Sequence, residues 1–184
     1  MQYLLPSLRL WLVTMLVCVI GYTGLVLAFA QGLAPYQAGG SIIAAGGRAV
    51  GSELVAQDFT SPRYFWPRPS AAGYNAMGAA GSNLSPTSEK LAARAAETVA
   101  RYGATPANPV PADLVAASGG GLDPHISLAG ALYQTGRVAD ARGLSPEAVK
   151  QLVASQAVSA GGAFAPDPIV NVLALNLALD RLGR

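Results

Sequence analysis

"LWLVTMLVCVIGYTGLVLAFA", Leu10 to Ala30, is the stretch on which the fold turns. It carries no charge, and at about 1.5 Å of rise per helical residue its length matches a bilayer hydrocarbon core of about 30 Å. The stretch predicts a transmembrane helix. Gly21 and Gly24 are compatible with that reading, because small residues let a neighbouring helix approach closely in lipid. A cleaved signal peptide is the alternative, since Arg9 precedes the run and "AFA" at Ala28 to Ala30 fits a small-x-small cleavage site. The run is longer than the ~7–15 residues of a usual signal core, which favours a retained anchor. Cys18, the single cysteine, lies inside the span, so no intrachain disulfide can form.

Outward from the span the composition changes. No charged residue occurs from Leu10 to Gly47, whereas the rest carries nearly all of the 12 Lys/Arg and 10 Asp/Glu. Arg9 lies before the span and the next basic residue, Arg48, well beyond it, so the positive-inside tendency puts the amino end in the cytoplasm. The expected organisation is 1–9 cytoplasmic, 10–30 transmembrane, 31–47 linker and 48–184 exported. A net charge of +2 is too small and too scattered to point to nucleic acid.

Within the linker, Ser41 to Ala44 reads as one short strand. Ala49 to Phe59 alternates at close to strand period around Leu54 and Val55. Thr60 to Asn75 is broken by Pro62, Pro67 and Pro69 and concentrates Tyr64, Phe65, Trp66, Tyr74, Arg63 and Arg68. Those aromatics either cover the core or form an interaction loop, the residue types being those that anchor interfaces. Ser85 and Pro86 suggest the start of a helix with Leu91, Ala95, Val99 and Tyr102 on one face and Gly103 at its end. Its glycine-serine-asparagine lead-in also offers amide groups of the kind that bind anions.

After a proline-rich loop and a short turn at Ala112 to Ala116, Asp123 or Ser127 can cap a helix that ends at Gly143. Ser145 and Pro146 open the next, with Leu144 placed to staple onto Val149. The final "IVNVLALNLALD" alternates leucine with smaller or polar residues, which reads as a half-buried strand, although leucine and alanine favour helices. Strands mixed with helices make the exported part an α+β or α/β domain behind one amino-terminal transmembrane helix.

"SGGGLDPHIS", Ser118 to Ser127, holds the only histidine. A Ser-His-Asp hydrolase requires a nucleophile activated by an oriented histidine, but sequence neighbours rarely achieve that geometry, and no G-x-S-x-G elbow is present. The expected role of Asp-Pro-His is a helix entrance, with His125 bonded to backbone. One histidine and one membrane-embedded cysteine leave only carboxylates for a metal. The three glycines lack the lysine-serine/threonine ending of a P-loop.

The strings "GSELVAQDFTSPRYFWPRPSAAGYN", "GSNLSPTS", "PADLVAASGGGLDPHIS" and "VNVLALNLALD", in that order behind one span, resemble the C subunit of the bacterial potassium-transporting Kdp ATPase. The likeness covers nearly the whole chain, with departures at "GAAGSNLSPTS" and "SAGGAFAPDP". It implies a non-catalytic accessory subunit of an inner-membrane complex. The implied partners are a catalytic P-type ATPase subunit, a channel-like potassium-binding subunit and a small single-span subunit. It further implies stabilisation of the complex and a raised ATP affinity of the catalytic subunit; no cofactor of its own is expected, ATP entering only through the resemblance. In agreement, neither an Asp-Lys-Thr-Gly phosphorylation string nor a Thr-Val-Gly-Tyr-Gly filter string occurs.

An exported domain lies across the membrane from cytoplasmic ATP, so the implied effect would run through the anchor or the shape of the complex. Direct nucleotide contact by the "GGG" loop is the competing expectation within the family, and a secreted hydrolase or binding protein using the Ser118–Ser127 loop the competing one outside it. The matching motifs single out Gln57, Tyr64, Phe65, Arg68, Ser82, Asn83, Asp113, Asp123 and His125 as fold or contact residues, with no chemical step assigned.

Overall fold

The computed structural model describes residues 3–161 and 167–182, so residues 162–166 of the "SAGGAFAPDP" departure lie outside the described residues. The chain divides into two units, Met1–Val50 and Gly51–Arg184.

The first unit is dominated by a 30-residue helix, Leu4–Leu33, long and apolar enough to cross a membrane. It comprises α1 (Leu4–Met15), a π-helical segment (Leu16–Tyr22) and α2 (Thr23–Leu33), none with a buried side chain. The hydroxyls of Thr14 and Thr23 donate to the carbonyls of Leu10 and Cys18 within the same helix, which keeps them satisfied where water is absent. After the single turn α3 (Pro35–Ala38), β1 (Ile42–Ala45) pairs with β2 (Arg48–Ser52). Gly46 and Gly47 join them with φ of +58° and +76°, the positive pair that a two-residue hairpin turn of matching twist requires.

The strand expected from Ala49 to Phe59 therefore stops at Ser52. Leu54, at its expected centre, is 57% exposed, and the N–H of Ala56 donates to Leu122 rather than continuing the hairpin. The next helix also starts later than its Ser-Pro signal suggests: α4 is Glu89–Arg101. The Ser85 hydroxyl is spent on the local turn, near the Thr87 N–H and hydroxyl, and Ser88 takes the extended backbone of the cap position. At the other end Gly103, φ +61°, closes α4, with Ala104 N–H donating to the Val99 carbonyl.

The core of the second unit gathers α5 (Ala112–Val115), α6 (Leu128–Arg142), α7 (Pro146–Gln156) and α8 (Val172–Leu182) around the antiparallel sheet β3-β5-β4. The strands are short: β3 His125–Ser127, β4 Ala157–Val158 and β5 Ile169–Asn171. Phe65, Leu114, Ile126, Val138, Val149, Val153, Val170, Leu175 and Leu179 form one buried cluster. Ser127 and Ser145 cap α6 and α7 by accepting from the N–H groups of Gly130 and Ala148, and Gly143 ends α6 in the left-handed region. Leu144 packs against the same cluster as Val149.

The last element is a strand only over Ile169–Asn171, then a helix capped by the Asn171 carboxamide, which accepts from Ala174 N–H. Its buried positions, Val172, Leu173, Leu175, Asn176 and Leu179, recur at helical spacing, and the leucine alternation was misleading because Leu177 is only half-buried. Asp-Pro-His, in turn, leads into β3 rather than opening a helix; the helix entrance is Ser127, two residues beyond His125.

Candidate functional site

The aromatic-arginine segment lies across the second unit and is held by side-chain amides. Asn176 of α8 accepts from Phe65 N–H at 2.8 Å and donates to its carbonyl at 3.0 Å; Gln134 of α6 does the same for Trp66 at 2.8 and 3.1 Å. A carboxamide offers one donor and one acceptor side by side, so each amide replaces a missing partner strand for one residue. The Arg137 guanidinium donates to the carbonyls of Pro62 and Tyr64, and Arg142 to that of Arg63. Phe65 is fully buried and Trp66 only 7% exposed, so both belong to the core. Tyr64 stays half-buried, its hydroxyl donating to Asp180, which also pairs with Arg142.

Trp66 is clamped. The guanidinium carbons of Arg101 (α4) and Arg137 (α6) lie 3.9 and 3.7 Å from its ring centroid. Two flat cations that close to one centroid cannot share a face, so one covers each side of the indole. Burial lowers the Arg137 pKa to about 10, and pushes the neighbouring Tyr102 phenol up to about 12.

Beyond Trp66 the segment reaches a cleft of about 230 Å³ lined by Arg68, Asp113, Asp123, His125, Ile126, Ser127 and Ile169. It runs along the free edge of β3. Ile126 pairs with Val170 of β5, and Pro124 and Leu128 also bond toward that strand, so the N–H groups of His125 and Ser127 point the other way. Each is capped by a carboxylate: His125 N–H donates to Asp123 Oδ1 at 3.0 Å and Ser127 N–H to Asp113 Oδ2 at 2.8 Å. Capping blocks the edge against addition of another strand. Asp123 also binds the His125 ring, Nδ1 to Oδ1 at 3.3 Å, and the Arg68 guanidinium at 3.1 Å through Oδ2. The His125 ring contact, its backbone N–H and the Arg68 charge together hold the Asp123 carboxyl below the usual carboxylate range.

The glycine loop behind this cleft is packed by backbone. Gly120 accepts from Ala80 N–H, Gly121 from the Ser70 hydroxyl, and Ser118 N–H donates to Pro69. A Cβ on Gly121, φ +70°, would meet Ala72, Ala80 and Ser70 at 2.9 Å, so this glycine serves a turn under close packing. The histidine is oriented by Asp123, but among the described residues no serine hydroxyl bonds to it: Ser127 accepts from Gly130 N–H, and Ser118 faces Asp123 N–H at 3.5 Å.

The pattern of the family described as K+-transporting ATPase, c chain (KdpC), matches residues 4–181. The chain belongs to the KdpC family. It is 60% identical over 99% of its length to the potassium-transporting ATPase KdpC subunit of Parvibaculum lavamentivorans, covering 98% of that chain. The proteins of the same name from Serratia proteamaculans and Gemmatimonas aurantiaca are 47% and 49% identical, over 99% and 100% of this chain and 100% and 94% of theirs.

Of the positions singled out by KdpC-like motifs, Arg68, Asp113, Asp123 and His125 meet in the cleft, while Tyr64 and Phe65 lie on the segment leading to it. Gln57 is elsewhere, packed over Gly51, where no Cβ would fit. Ser82 and Asn83 also stand apart, Asn83 at a φ of +48° before α4. Sequence reasoning did not find Gln134 and Asn176, whose signal is weak: each is a polar residue in the buried register of an otherwise apolar helix face. The contact between His125 and Asp123 was also missed: Asp123, just before β3, accepts from both the N–H and the ring of His125.

Proposed function

We propose that this KdpC-family chain is the non-catalytic accessory subunit of its potassium-transporting ATPase complex. It is anchored in the inner membrane by the Leu4–Leu33 helix, with the amino end cytoplasmic and residues 48–184 exported. The orientation follows from Arg9 before the span and Arg48 beyond it. Its partners are the catalytic P-type ATPase subunit, the channel-like potassium-binding subunit and a small single-span subunit. It stabilises their assembly and raises the ATP affinity of the catalytic subunit.

One observation supports the non-catalytic reading: among the described residues no serine hydroxyl bonds to the histidine of the Asp123–His125 pair, the nearest approach to a catalytic relay, and Asp123 is engaged by the His125 N–H at the β3 edge. The packed glycine loop likewise favours an indirect effect on ATP over direct contact. Such an effect needs only that the subunit bind the ATP-competent state of the complex more tightly than the other.

The test is purification of the full-length chain from its native membrane in detergent, with mass spectrometry of its amino terminus and of retained proteins, then ATP titration of the complex with and without this chain. An intact amino terminus, a retained P-type ATPase with a channel-like subunit, and a weaker ATP affinity without the chain are expected. A chain beginning near Gln31 and retaining nothing would sink the reading.

A further inference from the structure

Asp123 is used up by its neighbours: one oxygen takes the His125 backbone and ring, the other takes Arg68. Arg68 and Asp123 therefore cancel. Asp113 is different. Its Oδ2 accepts from Ser127 N–H, and among the described residues no cation pairs with it. One oxygen of Asp113 thus remains without a partner among the described residues, beside a cleft of about 230 Å³.

The rest of the cleft fixes what would fit. Half-buried Ile169 supplies an apolar wall, so the occupant carries a hydrocarbon stem as well as a positive head. A guanidinium binds carboxylates best through two parallel bonds, and Asp113 has a single oxygen free; an ammonium is a point charge and needs one. The capped edge of β3 excludes an added strand, which leaves room for a side chain and not for a paired backbone.

We propose that this cleft is the socket for one lysine side chain of another subunit of the complex, its stem along Ile169 and its ammonium on Asp113. The inference rests on the accessory-subunit reading. It makes Asp113 a contact residue, with Asp123 and Arg68 holding the walls.

A carbodiimide that joins a carboxylate to a contacting amine without a spacer tests it on the intact complex in detergent. Digestion and mass spectrometry should find Asp113 joined to a lysine of another subunit. Asp113→Asn keeps the acceptor for Ser127 N–H and removes the charge, so that crosslink should be lost while the melting temperature and the chain's other crosslinks persist. Asp113 left unjoined while other carboxylates of the chain crosslink to partners would overturn the inference and leave the accessory role intact. So would Asp113 joined to an aminolipid, or to Lys90 or Lys150 of its own chain. A chain that copurifies with no other subunit would overturn both.

Discussion

Asn176 and Gln134 show how much of this fold depends on single polar side chains. Each is about 1% exposed and pairs with both backbone groups of a residue that no strand reaches. Asn176→Leu leaves the Phe65 N–H and carbonyl buried without partners, at about 1–3 kcal/mol for each group. A loss of roughly 2–6 kcal/mol is expected in urea unfolding of the full-length chain in detergent. A loss under about 0.5 kcal/mol would show that the amide is dispensable. Asp123 makes a second prediction, through pH. Its carboxyl is held below the ordinary range by His125 and Arg68, so its stabilising effect is complete above the unfolded pKa of about 3.9 and is lost as pH falls through the folded value. The melting-temperature gap between the natural chain and Asp123→Asn should be widest near about pH 5 and shrink towards about pH 2, modestly, because the carboxylate is partly exposed. A gap that widens on acidification would contradict this pairing. The long-range partnerships among these cannot be read from residue type, because Asp123 and Arg68 are 55 positions apart and Asn176 and Phe65 are 111.

At the scale of elements, local signals succeeded where a cap or a turn fixes the backbone. Ser127, Ser145 and Gly143 mark the ends of α6 and α7 because each acts through its own immediate neighbours. Ser85 failed as a start signal because Thr87, two residues on, engages its hydroxyl through its own N–H and hydroxyl. The alternating leucines of α8 failed for another reason: period two and period 3.6 coincide over a few residues, and the packing of α7 and β5 against this segment selects the helix. Alanine substitution separates the two periods. Leu175→Ala and Leu179→Ala remove fully buried side chains and should each cost about 2–5 kcal/mol, whereas Leu177→Ala, on a half-buried flank, should cost clearly less. Equal losses at all three would restore the strand reading.

For the whole molecule, the composition break at Gly47 was the most legible feature: an apolar stretch without a charge from Leu10 onward and a charged mixed domain cannot share one solvent. The family was legible too, since its motifs run in order along the chain, but the cleft that gathers Arg68, Asp113, Asp123 and His125 was not, because the aromatic-arginine segment, α5 and the edge of β3 build it together. Met77 offers a handle on sidedness, being 95% exposed. With Cys18→Ala removing the native thiol, Met77→Cys should react with a membrane-impermeant thiol reagent on intact cells once the outer permeability barrier is opened. Labelling only after cell lysis would reverse the proposed orientation. The chain also has just two tryptophans, Trp11 in the apolar helix and Trp66 between its two arginines. Each unit thus contains its own fluorophore, and in a Trp11→Phe background all indole emission comes from the clamp. Because α4 supplies one jaw of that clamp and has no buried residue of its own, its release would change the colour and quenching of the protein's light while the core stays folded.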